Sequence, residues 1–261
     1  MQTVLIIDDH PVFGEGLEAW LRDTGRFDVL ASVTAVELAP PAAVVVCDMR
    51  LPGRSGAAAV RHLVDAGSKV LAFSGSASSQ DVLDVIAAGA AGYISKTASR
   101  AMFVAAVTAV ADGKFHVSAE LADYLRKDAM HRKLATGEIG ELAHDVLRRF
   151  SQGDRADEIA AALGWSVARI DRMVAEIWQA ATRRRLLLMP TPRERDVMKL
   201  AKQNLSHKEI AARLVPPIAK GTVSDYLDSI RDKFVQTHPD TPRDINPLVA
   251  AREWANEFHD L

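Results

Sequence analysis

Five polar residues near the start of the chain, Asp8, Asp9, Asp48, Ser74 and Lys96, each follow directly on a short run of largely apolar residues. Val4 to Ile7 precedes the paired acids, Ala43 to Cys47 precedes Asp48, Val70 to Phe73 precedes Ser74, and Gly92 to Ser95 precedes Lys96. Runs of this length bounded by turn residues read as buried strands. Laid parallel in one sheet, they collect all five polar groups at one edge. Three carboxylates there repel one another; two charges about 4 Å apart at an effective dielectric near 20 cost roughly 4 kcal/mol. A cation relieves that repulsion, and hard oxygen ligands favour Mg2+, which keeps several waters and accepts phosphate oxygens. Lys96 supplies a fixed positive charge and Ser74 a hydroxyl donor. Together they are the equipment for moving a phosphoryl group onto a carboxylate. His10 is not expected among the ligands, because Mg2+ prefers oxygen.

The elements that must hold these residues alternate. A helical pattern with Phe13, Leu17, Trp20 and Leu21 follows the first strand, and further helices are predicted over Ser55 to Ala66, Ser78 to Ala88 and Ser99 to Asp112. Strand–helix alternation predicts a parallel sheet with helices on both faces, and sites in such sheets form at the C-terminal strand ends. Between a second strand near Val29 and Ala43 there is room for only a turn or two of helix.

These residues resemble the receiver domain of two-component systems over roughly 2–117. The paired acids, the Asp before a Met-x-x-Pro-Gly loop, the Ser after the fourth strand and the Lys of Gly92-Tyr93-Ile94-Ser95-Lys96 stand in that family's order. The resemblance implies a doubly wound, five-stranded, flavodoxin-like α/β domain. It implies Asp48 as the phosphoacceptor nucleophile, with Ser74 and Lys96 holding the phosphoryl oxygens. Asp9 and Asp48 would bind Mg2+, Asp8 would assist through water, and the Arg50 carbonyl would complete the metal site. Tyr93 lies where the family keeps an aromatic switch, alongside Ser74. The short second connection is a departure, since the family has three or more helical turns there.

The second half contains a repeat. Asp145-Val146-Leu147 recurs as Asp196-Val197-Met198, and Asp157-Glu158-Ile159-Ala160-Ala161-Ala162-Leu163 recurs as Lys208-Glu209-Ile210-Ala211-Ala212-Arg213-Leu214, both 51 residues on. Each copy continues into a further helical pattern, so each reads helix, short helix, turn, longer helix, the order of a helix-turn-helix DNA reader. The second copy resembles the LuxR-type output of NarL/FixJ-like regulators at Thr191-Pro192-Arg193-Glu194-Arg195-Asp196-Val197, Ser206 to Ala211 and Thr222-Val223. The first copy resembles that module more distantly and lacks the Thr-Pro-Arg-Glu opening. Two such outputs in tandem depart from the family's single one. The expected organisation is a receiver at 1–117, a linker helix at 118–136, a divergent helix-turn-helix at 137–186, and a LuxR-type helix-turn-helix with a C-terminal helical extension at 190–261, both output domains all-α.

DNA contacts need donors on the last helix of each copy. The second copy carries Asp225, Asp228 and Asp232 there, an acidic stripe unsuited to phosphate, although Lys208, Lys220 and Thr222 stand at the starts of its helices. The first copy offers Arg169 and Arg172 early on its last helix, then Arg183, Arg184 and Arg185 at its end. The expectation is that the first copy contacts DNA while the second is a dimer or partner surface.

Composition limits the remaining classes. With 48% hydrophobic and 25% charged residues the 261-residue chain is of ordinary globular type. No apolar run suggests a membrane span or a secretory leader, and the single cysteine, Cys47, rules out an internal disulfide and fits a cytoplasmic setting. Residues 1–117 have net charge −3, 118–189 have +1 and 190–261 have zero, so overall charge does not advertise nucleic-acid binding. His144, His207 and His238 lack nucleophile or acid partners at recognisable spacing, which argues against a dedicated enzyme. The expected function is a cytoplasmic response regulator, phosphorylated on Asp48 by a sensor histidine kinase, that binds DNA as a homodimer. The rival is a phosphorylation-controlled protein-interaction regulator whose helix-turn-helix modules do not read DNA.

Overall fold

The structure, a computed structural model, describes residues 1–75, 78–131, 140–238 and 241–257, without the side chains of 79, 80, 128–131 and 184–187. The chain divides into two compact units, Met1–Arg185 and Leu186–Leu261.

The first unit is built on a parallel sheet of β1 (Gln2–Ile7), β2 (Phe27–Val29), β3 (Val44–Asp48), β4 (Lys69–Ser74), β5 (Gly92–Ser95) and β6 (His116–Val117), in the order β2-β1-β3-β4-β5-β6. Alternation along the strands supplies two apolar faces. Val4, Ile6, Val44, Val46 and Phe73 pack on α1 (Pro11–Arg22) and α4 (Arg100–Ala111) through Leu17, Leu21, Phe103 and Val107. Leu5, Ile7, Val45, Cys47 and Ala72 face α2 (Gly56–Asp65) and α3 (Ser79–Ala87) through Ala59, Leu63, Val82 and Ile86. Serines start these helices: Ser55 and Ser99 accept from backbone N–H groups, and Ser78 forms a capping box with Asp81.

Six strands stand where five were expected. His116–Val117 adds an edge strand, in register with Gly92 and Tyr93. Two residues are too short for a periodicity, and their backbone hydrogen bonds are supplied by the neighbouring strand, so no sequence pattern marks them. The short second connection is observed as a single 3-10 turn at Val36–Leu38.

The first unit continues through α5 (Ala119–His131), α6 (Glu141–Ser151), α7 (Ala156–Leu163) and α8 (Val167–Leu188), the last three being the first repeat copy. Ser118 caps α5, as its position suggests; the expected reach of that helix to about Leu134 and the break at Thr136 and Gly137 lie outside the described residues. The second unit holds α9 (Pro192–Ala201), α10 (His207–Arg213), α11 (Lys220–Thr237) and α12 (Pro247–Ala255). Its core is Val197, Ile210, Val223, Leu227, Ile230 and Phe234, closed by Trp254 of α12. The C-terminal extension thus packs on the second copy; Phe258 lies outside the described residues.

Candidate functional site

The C-terminal strand ends converge as the sequence requires. Asp48 is the last residue of β3 and Ser74 the last of β4, while Asp8 and Lys96 follow β1 and β5 directly. Asp8, Asp48 and Ser74 are buried, at 1%, 3% and 0% exposure. The Lys96 Nζ donates to Asp8 Oδ2 at 2.6 Å and to Asp48 Oδ2 at 2.7 Å. The other Asp48 oxygen accepts the Arg50 N–H at 3.0 Å, so both carboxylate oxygens are oriented from opposite sides. Backbone bonds hold the loops that carry them: Met49 N–H donates to Phe73 O and Lys96 N–H to Ser74 O. Gly56 lets α2 approach the loop after Asp48, because a Cβ there would stand 2.9 Å from the Met49 carbonyl oxygen.

The electrostatics follow from this packing. Burial opposes the Lys96 charge, but hydrogen bonds to Asp48 and Asp8 outweigh it and hold the ammonium above the ordinary lysine range. Its Nζ also lies 5.0 Å from the Phe13 ring centroid and 5.6 Å from that of Phe73. These two rings were not foreseen as site residues. Their only sequence signal is adjacency, Phe73 preceding Ser74 and Phe13 lying in the first helix after the acids. Cys47 is buried beside the site, and burial together with the Asp48 charge pushes its thiol up to about 12, so it is no nucleophile.

One oxygen stands apart. Asp9 Oδ1 is buried and makes no hydrogen bond among the described residues, the His10 Nδ1 lying 2.8 Å away outside hydrogen-bond geometry. Oxygens of Asp8, Asp9 and Asp48 and a His10 nitrogen lie within 4.8 Å of one another. A dense set of carboxylate oxygens with an unsatisfied buried member fits a hard divalent cation. His10 itself is exposed and turned onto both acids.

Tyr93 is buried, with its ring in the core shared by β5 and α5. Burial first, then Tyr124 and Glu120 of α5, push its hydroxyl up to about 12.

On the output side, the long helix α8 buries Ile170, Val174, Ile177 and Trp178. Arg169, Arg172, Glu176, Gln179 and Arg183 are exposed at alternating spacings of three and four, one face of the helix. Arg169 lies over the Trp165 ring at 3.9 Å, which fixes its guanidinium at the start of that face. The Arg184 side chain lies outside the described residues. In the second unit Lys208, Lys220 and Thr222 are exposed, and so are Asp225, Asp228 and Asp232. Arg231 pairs with Asp228 and Asp232, leaving it bound to the acidic face.

The opening motif of the second copy has a structural role that its sequence did not disclose. Thr191 and Glu194 form a capping box on α9. The Glu194 carboxylate, 3% exposed, also accepts from Ser229 Oγ and Lys233 Nζ of α11, each at 2.6 Å. Arg193 donates to the Val215 and Pro216 carbonyls, tying down the turn before α11.

Residues 4–108 match the response regulator receiver domain. The chain is 25% identical over 177 residues to the response regulator UvrY of Escherichia coli strain K12, covering 64% of this chain and 81% of that one. It is 29% identical over 173 residues to the nitrate/nitrite response regulator protein NarP of the same organism, covering 62% and 80%. Among solved structures, the response regulator ChrA of a heme-sensing two-component system aligns over 97% of this chain and 96% of its own, at 24% identity and a TM-score of 0.43. Residues 4–108, on their parallel α/β sheet, thus form a response regulator receiver domain, and the chain as a whole is similar to response regulators such as NarP.

Proposed function

We propose that the chain is phosphorylated on Asp48 by a sensor histidine kinase and, in response, binds DNA as a homodimeric transcriptional regulator in the cytoplasm. The observation that carries the first step is the position of Asp48. Its carboxylate is buried, held on one side by Lys96 and on the other by the Arg50 N–H, and stands beside the unsatisfied Asp9 oxygen. An Asp48 oxygen forms a bond to phosphorus as the phosphorus–nitrogen bond of a phosphohistidine breaks, and the leaving imidazole takes up a proton. Lys96 and Ser74 hold the phosphoryl oxygens; as the negative charge on Asp48 is spread into the acyl phosphate, Lys96 remains paired with Asp8. Asp9 and Asp48 would hold Mg2+, with Asp8 acting through water and the Arg50 carbonyl completing the set. When bound, the ion supplies positive charge that offsets the clustered carboxylates and the incoming phosphoryl group. The role is regulatory, and Asp48 modifies itself without turning over a separate substrate.

The first copy is the DNA reader in this account. Its α8 face carries Arg169, Arg172 and Arg183 with Gln179 and a single carboxylate, Glu176, all exposed, whereas α11 of the second copy presents Asp225, Asp228 and Asp232. Carboxylates facing phosphate oppose binding, and the guanidinium groups suit both phosphate and guanine edges. A mobility-shift assay on Arg169→Glu and Arg172→Glu tests this, with loss of binding expected and unchanged binding contradicting it. The exposed acidic face of α11 favours a second reading for that unit, a protein-interaction surface. Asp225→Ala and Asp228→Ala are then expected to leave DNA affinity unchanged.

A further inference from the structure

The contacts between the receiver and the first repeat copy are those of one core. Trp178 of α8 is 3% exposed, and its indole Nε1 donates to the Ala90 carbonyl at 3.1 Å. Its ring stacks on Phe115 at 4.8 Å between centroids, and Lys114 pairs with Asp171 at 2.8 Å. Behind these contacts, Leu121 and Leu125 of α5 and Phe150 of α6 belong to the same apolar cluster as Ala90 and Tyr93. A buried, hydrophobic join of this kind lacks the polar, movable character usual between separate domains.

Position matters as much as chemistry. Ala90 precedes β5, whereas Lys96 follows it, so the Trp178 anchor and the Asp48 site lie at opposite ends of that strand, about 20 Å apart at the strand rise. The candidate DNA face, Arg169, Arg172 and Arg183, already points away from the buried side of α8 and is exposed. Among the described residues, none of the first unit covers it.

We infer that the first repeat copy is a permanently docked extension of the receiver, locked by Trp178, and that phosphorylation of Asp48 does not act by releasing it. The regulatory half of this inference rests on the phosphorylation and DNA readings above; the structural half does not. Control of a face that the described residues of the first unit leave exposed then falls to the pairing of chains, which places two such faces on one DNA.

Native-state hydrogen exchange on the full chain with increasing denaturant tests the structural half without phosphate or DNA. Amides of β4, β5, α7 and α8 are expected to converge on one opening reaction with a shared protection factor. Protection in α7 and α8 at least about a hundredfold below that of the strands would overturn the inference. Trp178→Phe, which keeps an aromatic ring and removes the indole donor, is expected to lower protection in β4, β5, α7 and α8 together; loss in none of them, or in the strands alone, contradicts the lock. For the regulatory half, Lys114→Cys with Asp171→Cys is joined by a short bismaleimide, the buried Cys47 being spared. Phosphorylation is expected to raise DNA affinity as much in the joined chain as in the unjoined one, within about twofold. A gain present only when the link is open shows release and overturns it. If neither chain binds DNA, the DNA reading falls, and the exchange result still decides the lock.

Discussion

The ammonium of Lys96 lies 2.7 Å from the Oδ2 of Asp48, closing the end of a sheet whose first strand delivers two more carboxylates to the same place. Asp48 is buried and Lys96 largely so, so the ammonium offsets charge that solvent reaches poorly. Removing one partner of such a pair costs about 3–5 kcal/mol. Lys96→Met is expected to destabilise the first unit by about that amount in chelator. Added Mg2+ is expected to restore more stability to the variant than to the wild type. Urea unfolding with and without Mg2+ measures both effects, and equal stability of the two proteins in chelator would contradict the charge account.

Asp9 gives the sharper metal test, because its Oδ1 is buried without a hydrogen bond. A unit charge within about 4 Å of a cation contributes roughly 4 kcal/mol at an effective dielectric near 20. Asp9→Asn is therefore expected to weaken Mg2+ binding by at least about tenfold, with no loss of stability in chelator. Calorimetric titration with Mg2+ reads the affinity; an unchanged constant would remove Asp9 from the site.

In the second unit Glu194 ties α9 to α11. Burial favours its protonated form, but the donors Lys233, Ser229 and Thr191 prevail and hold it below the ordinary 4.5. A carboxylate with a depressed folded-state pKa stabilises the fold fully above its unfolded value. That stability is lost as pH falls through the folded value. The second unit is expected to weaken below about pH 4.5, and Glu194→Gln to cost about 3–5 kcal/mol near neutrality while flattening the acid dependence. Trp254 fluorescence reports this unit, since Trp20, Trp165 and Trp178 all lie in the other.

His116 makes the opposite end of the sheet acid-sensitive. Burial pushes its imidazole down to about 4 from 6.5. The unfolded chain binds the proton first, so stability is complete above about pH 6.5 and falls on acidification toward about pH 4. The slope is at most about 1.4 kcal/mol per pH unit. His116→Phe is expected to flatten that limb in the unfolding of the first unit; an unchanged profile would place the sensitivity elsewhere.

The convergence of Asp8, Asp48, Ser74 and Lys96 was legible because each strand announces itself as an apolar run and each of these residues ends or follows one. Ser55, Ser78 and Ser99 likewise marked helix starts, since a capping hydroxyl must precede the first turn. The sixth strand was not legible, because His116 and Val117 take their structure from β5. Nor was the docking of the first copy, since the partner of Trp178 is a backbone carbonyl and a carbonyl leaves no trace in residue type. The reach from Glu194 to Lys233 is hidden for a related reason. Its spacing of 39 residues fits no local pattern, and only the folded three-helix core brings the two together.

The central claim is that Asp48 accepts the phosphoryl group. Incubating the purified chain with acetyl phosphate and Mg2+, then measuring intact mass and mapping the modified peptide, tests it most directly. The account predicts a single phosphoryl group, labile to hydroxylamine as an acyl phosphate, on the peptide containing Asp48, and none on Asp48→Ala. A modification that persists in Asp48→Ala, or a wild-type chain that stays unmodified with Mg2+ bound, would contradict it.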